Sequence, residues 1–449
     1  MKKVIAISLF ALTVPIYLAL AESSDAGKYW PQWRGPQATG VSPAGNPPLE
    51  WGEGRNIRWK VEIPGKGSAS PIVWGDRIYL TSAIQTGESA PPPKPPAGGR
   101  GSSGRRWHGP RGIQPSPQDF VVLALDRRDG RIIWQRTANQ STPHEGHHQD
   151  GTFASNSAVT DGEHVYAFFG SRGIFCYDLD GNLKWKKDLG DMRSRLGFGE
   201  GSSPALYGDK LIIPWDHEGQ SFITALDKRS GEEIWRTNRD ESTAWATPIV
   251  VEQGDQAQVI TSATKGVRSY DLESGELIWE SSGMTANTIP SPVYSDGMVY
   301  VTSGFRGNAL LAIRLAEAKG DISGSQAIAW TYDRDTPYVP SPLLYGGQLY
   351  ILKRNNGILT VFDARTGETH YGPQRLEGIQ GVYASPVGAA GRVYVTSREG
   401  TTLVIRQGKE FEVLATNTLE DGFDASMAIV DDAIYMRGKK HLYCIAESE

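Results

Sequence analysis

Apolar positions in this chain fall in short runs separated by Gly, Asp and Pro, and the runs recur as one phrase. The first half of the phrase is a short strand opening with Ser-x-Pro or a close variant, a turn, and a second strand, usually with a tyrosine. It reads SASPIVWGDRIYLTS from residue 68, SSPALYGDKLIIP from 202, PSPVYSDGMVYVTS from 290, PSPLLYGGQLYIL from 340 and ASPVGAAGRVYVTS from 384. The second half is a strand ending in Asp, a glycine turn, and a strand ending in an aromatic residue, as in TALDKRSGEEIW from 224 and RSYDLESGELIW from 268. The glycine always stands four residues before the aromatic: Gly130 and Trp134, Gly181 and Trp185, Gly231 and Trp235, Gly275 and Trp279, Gly367 and Tyr371. Gly supplies the positive φ of a hairpin turn, and the Asp carboxylate accepts from the turn's amides. The aromatic then projects at constant height, where it covers the flank of the neighbouring sheet.

Four short strands per repeat, at a period of roughly 40 to 50 residues, describe a propeller blade. Blades are expected near 67–138, 152–190, 200–238, 243–282, 288–333, 338–377 and 381–416. An eighth, near 422–446, has only three strands. The segment NIRWKVEI (56–63), with Trp59, supplies the fourth and closes the ring, which removes exposed sheet edges. The fold class is therefore all-β, an eight-bladed β-propeller. A WD-repeat propeller would show recurring Trp-Asp and Gly-His dipeptides, which do not recur here, and a β-sandwich array would not share one aromatic offset.

The repeat lets all 449 residues serve one domain instead of two or three. With 39% apolar and 22% charged residues the chain is a soluble globular type, and a net charge of −5 gives no footprint for nucleic acid. Residues 1–21 read as a secretory signal: Lys2 and Lys3, an apolar run over 4–20, and Ala19-Leu20-Ala21 as the cleavage site. The other reading, an uncleaved membrane anchor, meets a short run broken by Pro15. No cysteine stands at the cleavage point, so a lipid anchor is not expected, and the chain is placed in the periplasm or outside the cell. Cys176 and Cys444 hold equivalent places in distant blades and are expected to pack as small apolar residues, without a disulfide.

Two segments lie outside the repeat. Residues 22–54, with Trp30, Trp33 and Trp51, read as a strap across the propeller, or alternatively as a ligand lid. The propeller then occupies 55–449. Residues 87–118 interrupt the first blade with a Pro/Gly/Ser-rich stretch carrying Arg100, Arg105, Arg106 and Arg111. That composition predicts a disordered surface loop, or a basic tether for an acidic glycan or protein.

In a four-stranded meander the loop between the second and third strands shares a face with the loop joining one blade to the next. That face receives the insert, the segment HEGHHQDG (144–151), Asp216, His217 and Glu218, and the loop cations Arg172, Lys265, Arg306, Arg354 and Arg398. Inter-blade loops add Arg193, Arg195, Arg239, Asp240, Glu241 and Trp245. Long loops on a rigid scaffold carry function, so this face is the candidate. His144, His147, His148 and Asp150 are the densest set of potential metal ligands, suited to zinc, copper or nickel, and equally an ordinary polar loop. No nucleophile elbow, phosphate loop or zincin helix is present, and no catalytic residue is assigned.

The Asp-x-x-Thr/Ser-Gly-x-x-x-Trp phrase, at Asp227–Trp235 and Asp271–Trp279 and with variation at Asp126–Trp134 and Asp363–Tyr371, resembles the tryptophan-docking repeat of the PQQ-like (pyrroloquinoline quinone) β-propellers. The resemblance runs from about residue 56 onward. Two groups share it: quinoprotein alcohol and sugar dehydrogenases, and non-enzymatic propellers similar to the outer-membrane assembly factor BamB. The first implies PQQ, calcium, an aspartate base and a vicinal cysteine pair, and no such pair exists here. The second, to which this chain is closest in kind, implies an envelope scaffold that binds a protein partner. The reading is a monomeric protein-binding or scaffold propeller of the cell envelope, with no cofactor and no nucleic acid. PQQ with calcium, or a metal-dependent or polysaccharide-related enzyme on the histidine face, are the alternatives. Trp107 and Trp245 are the candidate interface anchors.

Overall fold

The computed structural model describes residues 26–89 and 112–447. The signal segment, and within the insert residues 90–111 with Arg100, Arg105, Arg106, Trp107 and Arg111, lie outside them.

Eight antiparallel sheets form eight blades. Blade 1 runs from Ile72–Trp74 at the channel through Arg77–Gln85 and Gln118–Asp126 to Ile132–Ser141 at the rim. Blades 2 to 7 repeat this order over residues 159–187, 205–239, 249–281, 293–332, 343–375 and 387–418. Blade 8 takes three strands from residues 428–445, and its outermost strand is Ile57–Glu62, paired antiparallel with His441–Ile445. The ring is thus closed by the N-terminal strand, as its pattern predicts.

One register explains the aromatic repeat. In blade after blade the aromatic of the outer strand stands opposite a small residue of the third strand, or in one case valine: Trp134 opposite Ala124, Trp185 opposite Cys176, Trp235 opposite Ala225, Trp279 opposite Ser269, Trp330 opposite Ala312, Tyr371 opposite Val361 and Trp59 opposite Cys444. Both cysteines are therefore occupants of one repeat position, buried and free. The indole lies over the glycine turn of the next blade. A Cβ on Gly130, Gly181, Gly231, Gly275 or Gly367 would come within 2.5–2.8 Å of Trp59, Trp134, Trp185, Trp235 or Trp330 respectively. The same turn accepts the indole N–H through a backbone carbonyl: Arg127, Leu179, Lys228, Leu272 and Ala364, at 2.8–3.1 Å.

The pattern fails at three of the eight joints, for a local reason each time. Tyr371 has no indole N–H, and it meets Phe411 of blade 7, 5.8 Å between centroids, in place of a glycine turn. Blade 5 replaces the glycine turn with an excursion whose Gly320–Asp321 strand pairs parallel to the rim of blade 4. Trp279 therefore has no glycine turn to cover and donates instead to Gln258 Oε1 within its own blade. In blade 7 the aromatic position is Ala415, and the ring at that joint comes from the strap instead, with buried Trp51 stacked on Tyr394 at 6.2 Å between centroids.

The Ser or Thr before the recurring proline, or before Ala158 and Met427 where proline is absent, closes a second ring. The backbone N–H of each donates to the hydroxyl of the next around the channel: Ser70, Ser157, Ser203, Thr247, Ser291, Ser341, Ser385, Ser426 and back to Ser70, at 2.9–3.1 Å. The motif is scaffold, and its hydroxyls satisfy amides that the innermost strands would otherwise leave unpaired.

The N-terminal strap crosses one end of the channel. Trp30 bridges Val73 of blade 1, Val41 bridges Gly388 of blade 7, and Asn46 donates its N–H to Asp431 O of blade 8. Between these anchors Trp33 donates to the Ser291 hydroxyl, and the buried Arg34 guanidinium donates to Pro342 O, Pro386 O and Thr39 O at 2.6–3.0 Å. With no carboxylate partner among the described residues, burial lowers the Arg34 pKa to about 9. Among the described residues no helix is long and apolar enough to cross a membrane.

Candidate functional site: the channel mouth

The other end of the channel opens on the face that carries the long loops. The insert and the histidine segment meet there, since Ile113 and His147 exchange both backbone hydrogen bonds, at 2.8 and 3.2 Å.

A cavity of about 410 Å³ sits at this mouth. Its floor is Trp33 and part of the hydroxyl ring: Ser203, Thr247, Ser291, Ser341 and Ser385. One wall is apolar, built from Phe198, Trp245, Ile289, Phe305, Tyr338 and Val339, with Phe305 stacked on Tyr338 at 4.9 Å between centroids. The opposite wall is charged. Arg398 donates to Asp424 at 2.6 Å and sits 3.1 Å from Asp150, while its guanidinium lies 3.9 Å over the Tyr383 ring. Tyr383 in turn donates its hydroxyl to Asp150 at 3.1 Å. Burial works to raise the Asp150 pKa, but Arg398 and the Tyr383 hydroxyl outweigh it and hold the carboxyl below its usual value.

Glu200 lines the same cavity and has the contrary fate. It accepts from the Ser171 N–H at 2.7 Å and from its hydroxyl at 2.5 Å, with no cation in contact among the described residues. Burial dominates and raises its pKa to about 7.

The four candidate ligands do not converge on one point. His148 and Asp150 face the cavity, with Nδ1 3.5 Å from the carboxylate. His144 turns away, its Nε2 2.6 Å from Met192 O and its Nδ1 3.4 Å from Asp191. His147 donates Nδ1–H to His148 O and packs edge-on against Phe153, and burial lowers its pKa. Among the described residues the only three potential ligand atoms within 4.8 Å of one another belong to Asp161, Glu163 and His164, in a turn at the opposite end. There Lys228 already lies 3.0 Å from Asp161.

Several loop charges expected on this face serve the scaffold. Asp216 and Arg239 form a buried two-pronged pair at 2.8 and 3.0 Å, and Glu241 is bonded to Arg268. Arg172 pairs with Asp191, Lys265 with Asp240, and Arg193 donates to Glu218 O. Arg306 lies over Phe305, and the Arg354 backbone bridges to Pro337. Arg195 and His217 take part through backbone-linked bonds, to Thr243 and from Arg193 N respectively. Trp245 is at the mouth as expected, its indole donating to Gly199 O at 2.8 Å. Sequence reasoning missed Glu200, Phe305, Tyr338, Tyr383 and Asp424, none of which belongs to a repeated phrase. It singled out Trp33 as a strap residue but did not foresee that it reaches the channel floor.

Solved structures share this architecture. A quinohemoprotein alcohol dehydrogenase from Comamonas testosteroni is 11% identical, with a TM-score of 0.65, over 95% of this chain and 82% of that one. BamB from Moraxella catarrhalis is 12% identical, with a TM-score of 0.56, over 86% and 98%. At such identities the likeness is one of fold. Among curated proteins, an outer membrane protein assembly factor BamB from Francisella salina is 28% identical over 102 residues, 22% of this chain. That match spans only 18% of the relative's length. The family model described as "Outer membrane protein assembly factor BamB" matches residues 51–195 and 219–449, nearly all of the propeller, and the chain belongs to that family.

Proposed function

We propose that this chain is an exported scaffold of the cell envelope that receives a protein partner at the channel mouth and performs no chemistry there. The carrying observation is the cavity itself: a strap-floored depression with an aromatic wall facing Asp150, Tyr383 and Asp424, the two carboxylates bridged from behind by Arg398. Large aromatics beside an arginine are the composition of interface anchors. Membership of the BamB family supports the same reading.

The donor set does not fit the quinone-dependent alternative. Calcium takes six to eight oxygens, with carboxylates free to turn toward it. Here Asp150 and Asp424 share Arg398, which places a positive charge where the metal would have to sit, and Glu200 is bonded to Ser171. The only cysteines lie inside blades 2 and 8, far from any vicinal pair. PQQ and calcium are accordingly not assigned to this chain.

The test is capture from a solubilised envelope with the mature chain as bait. A partner held by the mouth is lost on Phe305→Ala with Tyr338→Ala, and kept on Asp255→Lys, an exposed turn residue of the other face. Dye-linked alcohol or sugar oxidation restored by PQQ plus calcium, with no partner captured, refutes the proposal.

A further inference from the structure

A second cavity, of about 580 Å³, opens on the same face between blades 1 and 8, sharing only the Asp150–Asp424 edge and residues 68, 151 and 152 with the first. Its charged lining is Lys66, Arg398, Arg437 and Lys439 against Asp150 and Asp424. Both carboxylates are already engaged by Arg398. Lys439 is only loosely associated, 3.7 Å from Asp424. Among the described residues neither Lys66 nor Arg437 has an ion-pair partner.

Arg437 is the informative residue. Its side chain is buried and donates to Thr81 O at 2.6 Å, with longer contacts to Ala69 O and the Ser82 hydroxyl at 3.4 Å. Gly67 lacks a Cβ where one would overlap the guanidinium, so the chain at 65–68 lies directly on it. That segment is fixed, because Lys66 exchanges both backbone hydrogen bonds with Ala83 at 2.9 Å. Burial with no compensating charge lowers the Arg437 pKa to about 10, so it remains a cation at neutral pH. Arg34 is equally buried and carbonyl-bound but borders none of the cavities described. Arg437 borders one, whose lining also includes the exposed Lys66. A guanidinium with spare donors in a low-dielectric wall favours a charge-assisted bond to an oxyanion.

We infer that this cavity binds the oxyanion group of a small molecule, a carboxylate or a phosphate, with Lys66 and Arg437 as its principal partners. The inference is independent of what docks at the channel mouth.

Calorimetric titration of the mature chain at low ionic strength tests it, with citrate in one arm and inorganic phosphate in the other. Saturable one-to-one binding in either arm is expected, and the stronger arm identifies the oxyanion. Affinity should fall tenfold or more in Lys66→Gln and in Arg437→Gln, be unchanged in Asp255→Lys, and weaken as salt is raised. If Arg437→Gln does not fold, Lys66→Gln and Lys66→Glu carry the test, since Lys66 is exposed and its structural bonds are through its backbone. No saturable binding of either anion at millimolar concentration, or binding undiminished in the Lys66 variants, overturns the inference.

Discussion

Trp235→Ala should be among the most damaging single truncations in the ring. The indole is 8% exposed, lies over Gly275 of blade 4, and donates to Leu272 O at 2.9 Å. A tryptophan buries about 200 Å², worth about 5 kcal/mol at roughly 25 cal/mol per Å². Measured truncations of buried aromatics cost about 3–5 kcal/mol because the cavity collapses only in part. The lost hydrogen bond leaves the Leu272 carbonyl unpaired, about 1 kcal/mol more. We therefore expect a loss of about 5 kcal/mol, concentrated at one joint, since the blades touch mainly their neighbours. Urea unfolding followed by circular dichroism gives the total. Amide exchange gives the location, with the strands at 205–239 and 249–281 opening first. Leu277→Ala, at 48% exposure on the next rim strand, is the control and should cost less than about 1 kcal/mol. Equal unfolding midpoints for the two variants, or faster exchange spread evenly over all eight blades, would refute the docking argument.

Glu200 makes stability depend on pH in a stated direction. Its carboxyl is raised by burial from 4.5 to about 7, so between those values the folded chain holds a proton that the unfolded chain has lost. Its contribution is then fully present below about pH 4 and lost as pH rises through 7, by no more than about 3 kcal/mol. Glu200→Gln should flatten that slope in urea melts between pH 5 and 8. Arg34→Ala removes donors from three buried carbonyls and should cost about 2–4 kcal/mol, read as a lowered melting temperature. It should also make residues 29–48 the first protease cleavage site among the described residues, whereas an intact strap would mean that Trp33 and the edge bridges suffice.

The ring was legible because its instructions are periodic. Gly130–Trp134 and its copies repeat one physical contact, so the spacing betrays both turn and docking partner even without a structure. Trp59 was readable for the same reason, as an isolated half-phrase in search of a sheet. Trp279 was read as another copy and differs only in what it meets, because the excursion at 315–327 displaces the turn it would have covered. The mouth is another matter. Asp150 was visible within a dense polar segment, but its partners Arg398, Tyr383 and Asp424 come from blades 7 and 8 and their connections, more than 200 residues away. Nothing local marks Glu200 as a half-buried cavity residue. Charges such as Asp216 and Arg239 looked like a functional face because sequence places them on loops without showing that they bond each other.

The most direct test of the account is a photo-crosslinking amino acid placed in turn at Phe305 on the mouth and at Asp255 on the opposite end, in cells exporting the full chain. Crosslinking of a single envelope protein from position 305 and none from 255 is the predicted result. Crosslinks from 255 alone, or no protein crosslink from an aromatic crosslinker that keeps the ring at 305 with the other mouth residues intact, would contradict it.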